Sequence, residues 1–529
     1  MSSGESEINE YKFEVPIPNQ ISDNNNHALV QSDSCQTSDS DHSDVEISPI
    51  ENGKDKKAEK KSSSKRSKKH KKHRKHYRSS RSMSDEERES LIAIVKVESE
   101  KSDVVGQGTS DGPKKLLPEV LNNFSPPTLD PERRTSIPDK PSCGLSMWSL
   151  LKNCIGSDLT RIPMPVYFNE PLSMLQRMTE DFEYAHLLDL AATIEDSCDQ
   201  LVLIAAFAMS TYSTTSTRTG KPFNPLLGET FECDRTTDLG WKSVSEQVSH
   251  HPPISAIHCR GEGWVCICEQ ELNSKFRGKY LRVDPIWSSH LELSKQGFHY
   301  SWNKVTTTAH NVLIGKLWVE HHGDMHIINH TTGDRCLLRF LPYSFFSNEP
   351  LRKVYGSIID NLGNLKWVFQ GFWDRYLKAY RVRSSHKKPN KLKISCTASK
   401  GLTVWRKNIP PECYSTMYNM TPFAVQLNEP EDGVAPTDSR LRPDQRAMED
   451  GDWDKANDLK SELEENQRHR KVASERIAKA NGQPHENKPI WFKKAFDPIT
   501  QKRIHIFTDE YWQCKAESDW SKCPCIYQL

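Results

Sequence analysis

The chain has 529 residues, enough for two or three domains, but only 35% are hydrophobic and mean hydropathy is −0.73. A large part of it therefore cannot bury a core. The formal net charge of +1 excludes a partner chosen by whole-chain attraction, and no run of about 18 apolar residues provides a membrane span. The 14 cysteines include no C-x-x-C pair, and no signal peptide opens the sequence. These features predict a reduced, cytosolic protein whose membrane contacts are peripheral.

In chain order, residues 1–140 read as disordered: Ser, Asp, Asn and Lys dominate and aromatics are few. Within them, Lys54 to Arg81 is a basic, Ser-rich run. Such a run is most often a solvated charge block; its functional readings are a nuclear signal, an RNA-binding tail or a tether to anionic lipid. Tyr77 is its single aromatic, which gives base stacking little support, so a membrane surface is preferred and no nucleic acid is expected. Residues 141–165 read as a lid and linker, with a short amphipathic helix from Met147 to Ile155 that Gly156 ends. Apolar residues at helical spacing predict helices over Pro171–Leu190 and Ser197–Ser213.

Beyond Gly220 the hydrophobic period changes to two. Strands are predicted at 230–233, 241–248, 255–259, 264–272, 291–293, 311–319, 325–329, 335–341, 354–359 and 365–372, with His322-Gly323-Asp324 among the breaks. Short strands in succession without helices between them predict an antiparallel sheet that curls and closes. Leu377–Lys400 is basic and reads as a loop. A charged, exposed helix follows from Asp454 to about Ala480, and the aromatic tail containing Trp491, Phe492, Phe507, Tyr511, Trp512 and Trp520 should pack back on the body.

Three places carry candidate chemistry. In Glu246-Gln247-Val248-Ser249-His250-His251-Pro252-Pro253, two prolines stiffen the backbone after two histidines, so the imidazoles can be aimed. A metal site would need more ligands and a catalytic dyad a nucleophile; neither accompanies the pair, so no metal, cofactor or catalytic residue is assigned. Cys266-x-Cys268 and His321-His322 read as structural. Donating hydrogen bonds to an anion suits the imidazoles best. In Gly220-Lys221-Pro222-Phe223-Asn224-Pro225-Leu226-Leu227-Gly228-Glu229-Thr230, two prolines and two glycines hold Lys221 in a tight loop. Lys460, Glu464 and Arg468 share one helix face at i, i+4, i+8, which a plain salt-bridged helix also explains. Converging, Lys221, His250, His251, Lys460 and Arg468 would suit a phosphate group.

Both signatures resemble, residue for residue, those of the oxysterol-binding-protein-related family of lipid transfer proteins, over about residues 146–529. Phe168-Asn169-Glu170-Pro171 and Leu441-Arg442-Pro443-Asp444 accompany them. The resemblance is to the family's short forms, without a pleckstrin-homology domain. It implies an α+β, mainly β fold: a near-complete antiparallel β-barrel around a hydrophobic lipid tunnel, with an N-terminal lid and helical layer and a C-terminal helical subdomain from about residue 454. It implies a phosphoinositide headgroup site of Lys221, Asn224, His250, His251, Lys460, Glu464 and Arg468. It also implies a lid with Trp148 and Leu151 facing a bound lipid, and Tyr212 near a sterol hydroxyl, although Thr211 stands where sterol-binding members often have glutamine. Glu10-Tyr11-Lys12-Phe13 is similar, without its central Asp, to a motif that binds an endoplasmic-reticulum receptor. The expectation is a non-enzymatic shuttle that exchanges a sterol, or another lipid, for a phosphoinositide between membranes. The alternative is a lipid-regulated sensor or scaffold without net transfer.

Overall fold

The computed structural model describes residues 9–15, 91–97, 117–141, 165–277, 279–312, 315–344, 350–388, 391–396, 401–482 and 488–528. The predicted helix at 147–155, with Trp148 and Leu151, and the basic run at 54–81 lie outside them. The strands in chain order are β1 (Asn9–Val15), β2 (Leu91–Val97), β3 (Asn169–Ser173), β4 (Lys221–Phe223), β5 (Thr230–Arg235), β6 (Trp241–His250), β7 (Pro253–Gly261), β8 (Trp264–Phe276), β9 (Tyr280–Leu293) and β10 (Phe298–Trp302). They continue with β11 (Thr306–His310), β12 (Trp318–Asn329), β13 (Arg335–Phe340), β14 (Lys353–Ile359), β15 (Leu365–Phe372), β16 (Tyr376–Lys388), β17 (Lys391–Cys396), β18 (Leu402–Arg406), β19 (Phe492–Asp497) and β20 (Lys502–Phe507).

Neighbours from β5 to β10, and from β12 to β17, pair antiparallel in sequence order, and β10 pairs with β12. β11 bridges β9 and β12, and β18 pairs with β16. This is the near-complete antiparallel barrel that the change of period announces. β8 shows why it forms: buried and half-buried residues alternate from Trp264 to Gln270, so Trp264, Cys266 and Cys268 face the core. The Ser197–Ser210 helix is buried over its whole length and packs on β12 to β15 and β18. Asp196 caps its first turn, and Trp367 Nε1 donates to Asp199 at 2.9 Å. Outside the barrel, the β19–β20 hairpin and the Glu510–Glu517 helix bury Trp491, Phe492, Phe507 and Tyr511 against Val244, Val248 and Ala256.

Several expectations are corrected. The Pro171–Leu190 helix is broken: Ser173 and Gln176 form a capping box that starts a helix only at Met174, a 3-10 turn spans Asp181–Tyr184, and a second helix runs His186–Thr193. The 311–319 strand is corrected: Asn311 takes φ 58 and β12 begins only at Trp318, then runs through His322-Gly323-Asp324 because Gly323 takes φ 118. Most of the 377–400 stretch is β16 and β17: Leu377 and Ala379 are buried, while Arg381 and Arg383, which mask the pattern, are exposed.

The disordered reading of 1–140 is corrected in three segments. β1 and β2 pair antiparallel, and β2, an apolar run in which Ile92, Ile94 and Val95 are β-branched, lies parallel to β17. Residues 117–141 form a strap with Leu117 and Ile137 buried. Arg134 meets Glu449 through two hydrogen bonds at 2.8 and 3.0 Å and donates to Val425 O at 2.7 Å. Arg134→Ala should lower unfolding free energy by about 1–3 kcal/mol in urea titration, as expected for a charge-assisted bond whose carboxylate stays buried. An unchanged midpoint would mean the strap is not part of the domain.

Candidate functional site

The two signatures meet at one end of the barrel. Gly220 lies against Glu170, where an added Cβ would stand 3.0 Å from the Glu170 Cβ, and Gly228 takes φ 79. Between them β4 pairs parallel with β3, Lys221 opposite Asn169. Leu226 N–H donates to Glu229 Oε2 at 2.9 Å, and Gly228 N–H donates to Gln247 O at 3.0 Å. That last bond joins the lysine loop to the histidine segment. Arg442, fully buried, pairs with Glu229 at 2.9 Å and Asp444 at 2.7 Å and donates to Asn224 O at 2.8 Å. Glu229 and Asp444 are therefore supports of the lysine loop.

His250 ends β6 and faces Pro253 of β7, leaving His251 and Pro252 as the hairpin turn. The imidazole rings stand 4.8 Å apart, edge to face, with His251 exposed. Gln467 fixes the pair: its Nε2 is 2.8 Å from His250 Nε2, and its Oε1 accepts from Leu227 N–H at 2.7 Å. Burial, with repulsion from His251, Lys471 and Arg442, pushes the His250 imidazole down to about 4. Glu246 is a structural anchor, its carboxylate accepting from Ile490 and Trp491 N–H at 2.7 and 2.8 Å.

The Trp453–Ala480 helix crosses this end. Asn457 accepts from Val166 N–H, Leu463 packs on Leu226, and Gln467 reaches His250. Lys460 lies on that same face, buried, with its ammonium 2.6 Å from Glu464 Oε1. Arg468 adjoins Gln467 and is exposed. Thus Lys221, Asn224, His250, His251, Lys460, Glu464 and Arg468 all lie on the lysine loop, the histidine hairpin or the helix bound to both. Gln467 was missed by sequence reasoning; its i+7 spacing from Lys460 is the signal that could have found it.

Beneath the loop are two adjoining cavities of about 330 and 310 Å³. Met174, Thr219, Pro222, Gln270, Leu272 and Val283 line both, so the cavities adjoin along these residues and are together called the passage. The upper part is mostly apolar and includes Lys221 and Asn224 in its wall. The lower part ends at Tyr212, whose hydroxyl accepts from Val305 N–H at 2.9 Å. It is more polar than the upper part: Lys304 pairs with Asp181 at 2.5 Å, and His321 spans Thr215 and Thr307 at 2.7 and 2.9 Å. His321-His322, read as a turn, is in fact within β12.

A family model described as Oxysterol-binding protein matches residues 146–516. The chain belongs to the oxysterol-binding protein family. It is 46% identical over 454 residues to Oxysterol-binding protein 2 of Mus musculus, covering 84% of this chain and 50% of that one. It is 38% identical over 405 residues to Oxysterol-binding protein homolog 2 of Saccharomyces cerevisiae, covering 74% and 31%. The chain spans half or less of the length of these relatives. Among solved structures it is similar to the Osh1 ORD domain in complex with ergosterol, with a TM-score of 0.65 and 36% identity, covering 74% of this chain and 93% of that one. It is also similar to the Osh3 ORD of Saccharomyces cerevisiae in complex with PI(4)P, with a TM-score of 0.62 and 30% identity, covering 76% and 100%. In this oxysterol-binding protein family member, as described, no helix is long and apolar enough to cross a membrane, and no group of His, Cys, Asp and Glu suits a metal ion.

Arg442→Ala should destabilise the domain by about 3–5 kcal/mol in urea unfolding, because it leaves Glu229 and Asp444 buried without their counter-charge. A loss below 1 kcal/mol, on the same order-of-magnitude scale, would deny the triad its supporting role.

Proposed function

We propose that the chain is a lipid exchanger: it holds a sterol in the passage, releases it at one membrane, and takes up a phosphoinositide there. The observation that carries this reading is the pair of adjoining cavities that runs from Tyr212 to Lys221, with Gln247 and Pro253 beside the histidines in the wall. Its apolar upper part suits a ring system or acyl chains. Burying roughly 400 Å² of sterol at about 25 cal/mol per Å² contributes on the order of 10 kcal/mol before ordering costs, enough to compete with a bilayer. Lys221, His250, His251, Lys460 and Arg468 supply donors for a phosphomonoester, Glu464 orients Lys460, and Asn224 supports the loop. Each charge-assisted bond contributes about 1.5–3 kcal/mol net. Residues 147–155, with Trp148 and Leu151, would close the passage. No bond is made or broken, so the protein is not an enzyme. It works from the cytosol and touches membranes peripherally.

Lys221→Ala and His250→Ala/His251→Ala should each abolish phosphoinositide extraction from liposomes and leave sterol extraction intact. Unchanged phosphoinositide extraction by the double variant would sink the headgroup assignment. The held-down His250 adds a pH dependence. His250 is neutral in the free protein, and a phosphate beside it raises its pKa, so binding takes up a proton. Phosphoinositide affinity should therefore rise as pH falls from about 8 to about 6, and His250→Ala should remove that component of the slope. Equal slopes for both proteins, measured with short-chain phosphoinositide by calorimetry, would mean that His250 stays uncharged in the complex.

A further inference from the structure

The strap over residues 117–141 carries a motif that neither the passage nor the headgroup site uses. Arg133-Arg134-Thr135-Ser136-Ile137 puts two guanidiniums three and two residues before a serine, with an apolar residue after it. Serine kinases that prefer basic peptides read this order. Carboxylates in the substrate cleft take the two planar forks, and an apolar pocket takes the residue that follows the serine. Such a kinase needs an exposed serine on backbone outside helix and strand. Ser136 is exposed, and residues 134–141 belong to no helix or strand.

Here the domain's own carboxylates hold both arginines. Arg134 donates to Glu449 at 2.8 and 3.0 Å, and Arg133 donates to Glu429 at 3.3 Å. The Arg134 N–H also donates to Glu429, at 2.9 Å. The backbone on either side of Ser136 is pinned: the Tyr414 hydroxyl donates to Thr135 O at 2.7 Å, and Ile137 N–H donates to Met417 Sδ at 3.3 Å. The strap is thus held by the groups that a kinase cleft would replace. The clasp can open without orphaning a buried charge. Glu449 keeps Arg446 at 3.3 Å and Asn428 at 2.8 Å, and Glu429 is only half-buried.

We propose that Ser136 is a phosphorylation site for an arginine-directed serine kinase, and that its phosphate holds the strap off the domain. The Ser136 Oγ attacks the γ-phosphorus of ATP; the new O–P bond forms as the bond to the leaving ADP breaks, and the hydroxyl proton passes to the kinase's base. Residues 132–140 carry three cations and two carboxylates, net +1, and face Glu429, Glu431 and Glu449. A phosphate adds about −1.5 to −2, so the segment turns net negative against a negative surface. Two residues from Arg134 and three from Arg133, the phosphate also competes for both guanidiniums. The clasp sets the order of events: the strap opens, the kinase takes the arginines, and the phosphate prevents reclosure. The strap ends six residues before Met147, so its release also frees the anchor of residues 147–155. That last consequence rests on the exchange reading above; the modification does not.

The test incubates the full chain with MgATP and the catalytic subunit of cyclic-AMP-dependent protein kinase, and maps phosphate by mass spectrometry. Wild-type protein should be modified at Ser136, and Ser136→Ala should take no phosphate within residues 117–141. Glu429→Gln/Glu449→Gln should be modified at Ser136 severalfold faster, because its arginines are released from the clasp. In phosphorylated protein the Arg134 and Ile137 amides should exchange about tenfold faster than in unmodified protein. Phosphate confined to the serine-rich run at 54–81 overturns the proposal, as does unchanged exchange at Arg134 and Ile137 after full modification of Ser136. Equal rates for wild type and the folded Gln variant overturn the gating by the clasp; if that variant does not fold, site mapping and amide exchange on wild-type protein decide. Sterol transfer between vesicles should quicken on phosphorylation. If it does not while the strap amides do exchange faster, the modification stands and the closing role of residues 147–155 falls.

Discussion

A guanidinium buried between two carboxylates holds the mouth of this barrel in shape. Arg442 pairs with Glu229 from the lysine loop and Asp444 from its own helix, and its third contact is the Asn224 carbonyl. Apolar residues of equal volume would often be as stable, because desolvating three charges offsets most of their attraction. They would not fix direction. The lysine loop must hold a polar residue at the edge of an apolar passage, with little packing on the open side. Directional bonds to Glu229 and Asn224 place the loop from within. Arg218 does the same one strand away, clasping Glu170 and Glu180 beneath Gly220.

From this the rest of the site follows in sequence. The fixed loop presents Gly228 N–H to Gln247, which sets the end of β6, and Leu227 N–H to Gln467. Gln467 then grips His250, so the long helix, the loop and the hairpin are one hydrogen-bonded unit. The helix has few other holds. Only Trp453, Ala456, Lys460 and Leu463 are buried along its 28 residues, so its position over the mouth depends on these polar contacts. A ligand that strains the loop or hairpin is thereby transmitted to Lys460 and Arg468.

The barrel was legible in the sequence wherever one face of a strand is buried and the other is not. β8 alternates cleanly and was found; β16 alternates too, but its outward Lys and Arg residues raised its polarity to that of a loop. Gly323 looked like a break because glycine marks turns more often than mid-strand bends. The Pro171–Leu190 helix was misread because its apolar spacing continues across Ser173 and the 3-10 turn, where capping chemistry rather than periodicity decides the boundaries. At the site, the aimed imidazoles and the lysine were readable from proline stiffness and residue type. The supports were not. Glu229 and Gln467 act through contacts 213 and 217 residues away in the chain, and their local surroundings do not announce those partners.

The shared lining of the two cavities bears on how exchange could be obligatory. Met174, Thr219, Pro222, Gln270, Leu272 and Val283 border both, so the two parts share these walls. Pro222 directly follows Lys221, which ties the wall of the passage to the proposed headgroup cation through one rigid step. Under the proposed assignment, a phosphoinositide whose headgroup rests on Lys221 would send its chains past Pro222 into the apolar space proposed for a sterol. The two ligands would then compete for volume while using different polar contacts. His250, held near pKa 4 and so neutral, adds no fixed charge over that space when the polar site is vacant. An uncharged imidazole at the mouth lets an apolar ligand enter without facing an unpaired cation there, and the charge needed for a phosphate arises only when the phosphate is present.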